Sequence, residues 1–121
     1  MRSPFSTILE AAVVHTPGSI GCAFAASDGE LVDSFARFDA EEWALLTAHY
    51  GVVLGHMQSA LRTFHYGEAE VVILTHQRLD ILVHAVSEGY YALIAMRHPA
   101  QLALAQAQLA RAAADLRQEM G

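Results

Sequence analysis

The segment from Asp39 to His65 constrains the fold most, because its helix signals run well past the mean helix length of about 11 to 12 residues. Asp39 and Glu42 have the spacing of a capping box, in which each side chain can bond the backbone amide of the other residue. The break from Tyr66 to Glu68 then ends the helical pattern. The sequence therefore predicts one long helix in the middle of the chain, running from Asp39 to about His65.

Apolar side chains follow two opposite sides of this predicted helix when about 100° is assigned to each residue. The larger ones share one sector, which is expected to pack on a sheet: Trp43, Leu46, Tyr50, Leu54, Met57, Leu61 and Phe64. The opposite sector, named here the small-residue stripe, consists of Leu45, Ala48, Val52, Gly55 and Ser59. A monomer should be polar on that side, and short side chains let a second backbone approach. The stripe therefore predicts a partner contact; the alternative is ordinary surface in an alanine-rich protein.

Shorter elements with clear turn signals surround the long helix. Ser3 and Pro4 suit the N-cap and the first residue of a helix. An Asp28-Gly29 pair between two apolar runs is a hairpin signal. The predicted order is αββαβββα, with helices at 4–15, 39–65 and 98–121 and strands at 19–26, 31–37, 69–75, 80–86 and 90–96.

Several predicted strands are apolar on both faces, as where Val71 and Ile73 alternate with Val72 and Leu74. Such a sheet needs cover on both sides. The long helix connects the two groups of strands, so we expect it on one face and the first and third helices on the other. The predicted fold class is α/β (α+β): a three-layer sandwich whose five-stranded sheet is mainly antiparallel, with residues 1–121 as a single domain.

An apolar strand such as 71–74 is an aggregation hazard at a sheet edge unless another strand pairs with it or covers it. Homodimerisation through the small-residue stripe together with Val72 and Leu74 would protect both surfaces in one symmetric contact. These residues are the predicted dimer or partner interface.

The charge of the chain limits its partners. The formal net charge is −6, and the seven basic residues are scattered arginines with no lysine among them. Nucleic acid is not expected as a partner, because counterion release needs clustered cations. The lack of lysine also excludes Schiff-base and P-loop chemistry. With no apolar run that predicts a membrane span, no secretory signal pattern and a single cysteine, Cys22, we expect a cytoplasmic protein without membrane insertion.

Catalytic and metal sites are weakly indicated. His49 and His56 are seven residues apart, whereas two ligands on one helix are better spaced by four, so no metal is expected. Cys22, with His84 on a strand expected to be its neighbour, is the pair that could be proposed for nucleophilic catalysis, but buried thiols are usually inert. We therefore expect neither a catalytic residue nor a cofactor. His49, His56 and Arg62 remain candidates for contacts with a partner.

The αββαβββα order, the Pro17-Gly18 turn, the hairpin at 27–30, the break at Gly67 and the passage from Leu82 to Tyr91 are similar over nearly the whole chain to the Roadblock/dynein light chain family. Within that family the chain most resembles the bacterial MglB-type and MglC-type regulators of gliding motility and cell polarity. The resemblance implies a homodimer with one sheet continuous across both subunits and with paired second helices.

The function implied by this resemblance is that of a scaffold or co-regulator in a Ras-like small-GTPase pathway controlling bacterial polarity or motility. Its expected partners are a second copy of itself, another Roadblock protein, a Ras-like GTPase or a response regulator. The first alternative is a GTPase-activating protein of the MglB type. We expect the scaffold, because the chain stops directly after its last helix and has no extension for further GTPase contacts. A small-molecule sensor domain is the second alternative, and an unrecognised hydrolase is the third.

Overall fold

The computed structural model describes residues 3–121, which form three helices and five strands in the predicted order. Met1 and Arg2, the first residues of the predicted domain, lie outside the described residues. The helices are α1 (Pro4–Val14), α2 (Ala40–Leu61) and α3 (Leu102–Met120), and a short 3₁₀ turn (Arg62–Phe64) follows α2. The strands are β1 (Ser19–Ala26), β2 (Leu31–Ala36), β3 (Val71–Thr75), β4 (Leu79–Ser87) and β5 (Tyr90–Arg97).

The first two helices begin where their capping residues predict. The Ser3 hydroxyl accepts a hydrogen bond from the backbone amide of Ser6 at 3.0 Å, and Pro4 is the first helical residue. The Asp39 carboxylate accepts one from the amide of Glu42 at 2.9 Å. Both bonds satisfy amides that have no partner inside the first turn of a helix, so each cap fixes where its helix starts.

The sheet has the strand order β2-β1-β5-β4-β3, and every neighbouring pair is antiparallel. β5 therefore lies in the centre, while β2 and β3 are the two edges. Gly29 closes the β1–β2 turn and Gly89 the β4–β5 turn, each with a positive φ that costs glycine little. A backbone bond from Ser27 to the carbonyl of Gly89, 2.8 Å long, joins these two turns at one end of the sheet.

Two apolar cores, one on each face of the sheet, confirm the predicted layers. The core between the sheet and the α1–α3 pair includes Leu9, Phe24, Leu82, Ile94 and Leu109. The core between the sheet and α2 includes Trp43, Ile81, Tyr91 and Leu93. Successive side chains of a strand point to opposite faces, which is why the strands read as apolar at almost every position.

The end of the long helix differs from the prediction. α2 stops at Leu61, and neither Leu61 nor Phe64 packs on the sheet: their exposed fractions are 38% and 61%. The assignment of these two residues to the buried sector is therefore wrong. The physical reason lies at Gln58, whose side-chain amide exchanges two hydrogen bonds with the backbone of Ala69, so the last turn of α2 is tied to the loop before β3.

The start of the last helix also differs, because α3 begins at Leu102 and not at His98. The carboxylate of Asp80, itself buried, accepts hydrogen bonds from His98 Nδ1 at 2.9 Å and from the Ala100 amide at 3.1 Å. These bonds hold the connection against β4 before the chain turns into α3. The other predicted bounds agree with the structure to within one or two residues.

Candidate interaction surface

The larger members of the small-residue stripe are open to solvent. Leu45 is 60% exposed and Val52 is 56% exposed, although both are apolar and lie in the middle of a helix. Ser59 is exposed as well, whereas Ala48 and Gly55 are half-buried. An apolar stripe on the outside of α2 is therefore present, and its contact with a partner stays a prediction.

The small side chains of α2 have a reason inside the chain that the sequence did not reveal. A Cβ added to Gly55 would lie 3.7 Å from the carbonyl oxygen of Ser27, and one added to Gly29 would lie 3.8 Å from that of Ala48. The β1–β2 hairpin thus approaches the same stretch of α2. The close approach that we attributed to a second polypeptide is made at least in part by this hairpin.

The β3 edge is separated from α2 by a groove that both Gly55 and Val72 line. Val72 and Leu74 pair with Val83 and Ile81 of β4, so their side chains face the α2 side of the sheet, where both are half-buried. Ile73 points to the other side and is 42% exposed. On the side of β3 that faces away from β4, the backbone pairs with no described strand.

The two edges of the sheet differ in how well they are protected. β2 carries a charged residue, Asp33, within its length, and its pairing with β1 is interrupted by a register shift after Phe24. β3 has five uncharged residues and pairs with β4 in one unbroken register. Charges and bulges are the usual means of blocking edge-to-edge pairing, so β3 is the edge open to another strand.

The three candidate contact residues lie on the outer side of the helix and its end. His49 donates a hydrogen bond from Nδ1 to the carbonyl oxygen of Leu45 at 2.8 Å, and His56 is exposed. Arg62 forms an ion pair with Glu68 at 3.1 Å, and both side chains are mostly exposed. All three can be reached from solvent, but the guanidinium of Arg62 already has an acidic partner.

Sequence reasoning missed a groove of about 700 Å³ between the second half of α2 and the sheet. Its apolar walls come from α2, from Val72 and Val83, and from Tyr90 and Tyr91, while its rim carries acidic residues of the loop before β3 and of the β4–β5 turn. The signal that could have indicated it is Gln58, a polar residue close to the sheet-facing sector of α2. Gln58 and Ala69, which bond each other across the gap between α2 and the loop before β3, both line the groove.

A second, shallower groove of about 420 Å³ lies along the first half of α2, beside Leu79 at the start of β4. Leu45 and Leu46 contribute to its apolar wall, and His49 and Tyr50 also line it. The hydroxyl of Tyr50 contacts Nε2 of His76, which joins α2 to the β3–β4 turn. Partial burial raises the pKa of Tyr50, so this hydroxyl stays protonated.

The Cys22 and His84 pair does not form. β5 lies between β1 and β4, so the two residues are on strands that are not neighbours, and the expectation that they would be is wrong. Cys22 is fully buried, and its burial raises the pKa of the thiol to about 12, which keeps it protonated. His84 bonds the backbone carbonyl of Ala85 instead.

Residues 3–121 contain neither a cluster of metal ligands nor a helix that could span a membrane. Within that range no three His, Cys, Asp or Glu side chains come together in a way that could hold a metal ion. None of the helices in the same range combines the length and the apolar content that crossing a bilayer takes.

Solved structures of other proteins share this fold. The chain is similar to a Roadblock/LC7 domain from Streptomyces avermitilis, with 15% identity and a TM-score of 0.86 over 95% of this chain and 96% of that chain. It is similar to MglC from Myxococcus xanthus, with 22% identity and a TM-score of 0.72 over 97% of this chain and 99% of that chain. It is also similar to MglB from Myxococcus xanthus, with 9% identity and a TM-score of 0.87 over 98% of this chain and 95% of that chain.

No protein-family sequence profile matches the chain, and no curated protein sequence does. The likeness is thus one of structure, and it shows that this chain has the Roadblock/LC7 fold.

Proposed function

We propose that the chain is a non-catalytic homodimeric interaction module, a cytoplasmic scaffold or co-regulator in a Ras-like small-GTPase pathway that controls bacterial polarity or motility. Its partners in this proposal are a second copy of itself and another Roadblock protein, a Ras-like GTPase or a response regulator. The observation that carries the proposal is that the chain has both an unprotected β3 edge and an exposed apolar stripe on the outside of α2, with Val72 of the one and Gly55 of the other lining the same groove.

A symmetric dimer would remove both exposed features together. Pairing of β3 with the β3 of a second copy would give the free backbone groups of this edge hydrogen-bond partners, and it would extend the sheet. Leu45 and Val52 would then lie where a second α2 could cover them. Complete burial of such a side chain from the exposed state contributes roughly 1.5 to 3 kcal/mol. Leu45 and Val52 are 60% and 56% exposed in the subunit, so covering each would add about half of that.

The GTPase pathway is the role that the sequence resemblance implies, and the fold that the chain shares with Roadblock/LC7 domains, MglC and MglB is consistent with it. Two neighbours of one fold need not share a role, so the scaffold and the GTPase-activating protein are separate versions of the proposal. We favour the scaffold.

The experiment that separates the two versions is GTP hydrolysis by the Ras-like GTPase of the same organism, measured with and without this protein. Binding of the GTPase, or of a second Roadblock protein, with an unchanged hydrolysis rate supports the scaffold. A raised rate supports the activator. If the protein neither dimerises in light scattering nor retains any such partner in a pull-down, the proposal is wrong.

A small-molecule sensor is the second candidate, and the groove between α2 and the sheet favours it. Its volume of about 700 Å³ lies within the range of roughly 300 to 1,000 Å³ that ligand pockets occupy. Thermal unfolding with a panel of metabolites would test this role, because a ligand bound by the folded protein alone raises the midpoint.

A further inference from the structure

The groove between α2 and the sheet combines an apolar wall with an acidic rim. Leu54 of α2, Val72 and Val83 of the sheet, and Tyr90 contribute its apolar surface. Glu68, Glu70 and Glu88 stand around it, the first two in the loop before β3 and the third in the β4–β5 turn. All three acidic residues are exposed. An occupant must therefore match an apolar surface and several negative charges at once.

Among residues 3–121, two of these carboxylates have no basic side chain within ion-pair distance. Glu68 is paired with Arg62 through two guanidinium nitrogens at 3.1 Å. Glu70 and Glu88 form no ion pair among residues 3–121. Charges at the border of an apolar surface interact more strongly than in bulk water, because part of the surrounding water is excluded. The rim therefore presents two unneutralised carboxylates to whatever enters the groove.

Tyr91 forms a buried part of the groove lining. The residue is only 2% exposed, and among residues 3–121 its hydroxyl has no hydrogen-bond partner. Burial, aided by the negative charge of Asp28, raises the pKa of Tyr91 to about 12 and keeps the hydroxyl neutral. The hydroxyl lies beneath Gly51 of α2 and is closed off from solvent, so Tyr91 adds no charge to the groove and the negative charges come from the rim.

A second copy of this chain is a poor match for such a groove. Each copy has a net charge of −6 and carries seven arginines but no lysine. Among those arginines, Arg62 already pairs with Glu68, and Arg117 bonds the carbonyl oxygen of Val86. Complementarity at an interface sets positive groups against negative ones, so the charge of the rim favours a different protein.

We propose that this groove binds a basic amphipathic segment of a protein other than a second copy of this chain. The apolar side of that segment packs on the groove wall, and its lysines or arginines lie beside Glu70 and Glu88. The inference rests on the proposed function only in that the chain acts by binding proteins, and it adds the chemistry of one partner. The groove borders the proposed dimer contact, because Gly55 of the small-residue stripe and Val72 of β3 are both part of its lining.

The test uses the full chain and a fluorescein-labelled helical peptide of about 18 residues, or five turns, with leucines on one side and lysines on the other. Binding is measured by fluorescence anisotropy, and the comparison peptide carries glutamate in place of each lysine. We expect the lysine peptide to bind at least about tenfold more tightly, because several charge pairs change sign together. Equal binding of the two peptides would overturn the proposal.

Charge reversal at the rim provides the matched variant. Glu70→Lys combined with Glu88→Lys should weaken binding of the lysine peptide by about five- to tenfold. Asp115→Lys combined with Glu119→Lys, two exposed positions of α3 at the opposite face of the sheet, makes the same change in net charge and should alter binding by less than about twofold. The doubly reversed rim variant should also gain affinity for the glutamate peptide, which a misfolded variant would not do. An equal loss with the doubly reversed α3 variant would show attraction to the whole chain and would overturn the proposal.

Two further measurements separate this inference from the proposed dimer. Amide NMR signals of Ala69, Ala85 and Gly89 should shift with the peptide, and a pattern confined to the small-residue stripe would place the binding elsewhere. Light scattering should give the same mass for the doubly reversed rim variant and for the original chain. A change of oligomeric state would show that a second copy occupies the groove. A Val52→Asp chain should still bind the lysine peptide, whatever its own oligomeric state.

Discussion

Gly51 of α2 leaves the space that the hydroxyl of Tyr91 occupies beneath the helix. A Cβ added to Gly51 would lie 2.6 Å from this oxygen and 3.1 Å from the Cα of Gly29 in the β1–β2 hairpin. Gly51 is buried, and it lies between Thr47 and Leu54 on the buried side of α2. The absence of a side chain at this one position thus sets how closely α2 packs on the sheet and the hairpin.

Gly51→Ala should therefore lower the free energy of unfolding by about 1 to 3 kcal/mol, the usual cost of overpacking a core. The matched control is Gly55→Ala in the same helix, where the added Cβ would meet its nearest described neighbour at an ordinary 3.7 Å. Gly55→Ala should be neutral or stabilising by up to about 1 kcal/mol, because alanine favours a helix over glycine. Urea denaturation measures both, and equal effects would contradict the packing described here.

Tyr91→Phe should relieve part of this strain. It removes the oxygen that the new Cβ would meet, and it also removes a buried hydroxyl without a partner, whose burial costs about 1 to 3 kcal/mol. Tyr91→Phe alone should consequently be neutral or stabilising. In a chain that already carries Tyr91→Phe, Gly51→Ala should lower the free energy of unfolding by less than it does in the original chain. Additive effects in this double-mutant cycle would show that the two residues do not interact.

The buried thiol of Cys22 makes a prediction about alkaline pH. Burial raises its pKa from 9.0 to about 12, so the folded protein holds a proton that the unfolded chain releases above about 9. The stabilising effect of the neutral thiol is fully present below pH 9 and is lost as the pH rises toward 12, by up to about 1.4 kcal/mol per pH unit. Burial also raises the pKa of Tyr91, to about 12, so this residue adds to the loss of stability at alkaline pH.

Urea denaturation at several pH values from 8 upward checks this expectation. The free energy of unfolding should fall with pH, and it should fall less steeply in Cys22→Ala. A thiol reagent at pH 8 should label Cys22 in urea but not in the native protein. Rapid labelling of the native protein would show that the thiol is neither buried nor raised in pKa.

Local signals in the sequence were sufficient for the strands and for both capped helix starts. The Asp28-Gly29 pair and the capping residues Ser3 and Asp39 act through bonds to neighbours a few positions away, and such bonds hardly depend on the rest of the fold. The end of α2 could not be found in this way. Gln58 bonds to Ala69, eleven positions on, and nothing in the helical periodicity indicates that contact.

The candidate surface was predictable only in part for the same reason. The exposure of Leu45 and Val52 follows from their position opposite Trp43 on one helix. The role of the glycines does not, because Gly51 and Gly55 are paired in space with Tyr91 and Ser27 by the sheet topology. The separation of Cys22 from His84 by β5 depends on strand order as well, which residue alternation leaves open.

Asp80 should be the polar residue whose loss destabilises the fold most clearly. Its buried carboxylate accepts hydrogen bonds from His98 and from the amide of Ala100, and Asp80→Ala would leave both donors without this partner. The expected loss is about 1 to 3 kcal/mol of unfolding free energy, measured in urea. His98→Ala should cost less, because Asp80 keeps its bond to Ala100 and the side chain of His98 is 37% exposed. The reverse order would contradict this account of the turn before α3.

Val52→Asp should turn the proposed dimer into a monomer. Val52 is exposed in the subunit, so a carboxylate there costs the isolated chain little, whereas a covered interface would have to bury an unpaired charge. The matched control is Val32→Asp on the other edge strand, β2, where valine is 43% exposed and no partner contact is proposed. Multi-angle light scattering should show a monomer for Val52→Asp and the original dimer for Val32→Asp. A Val52→Asp chain that folds and keeps the dimer mass would place the interface on another surface.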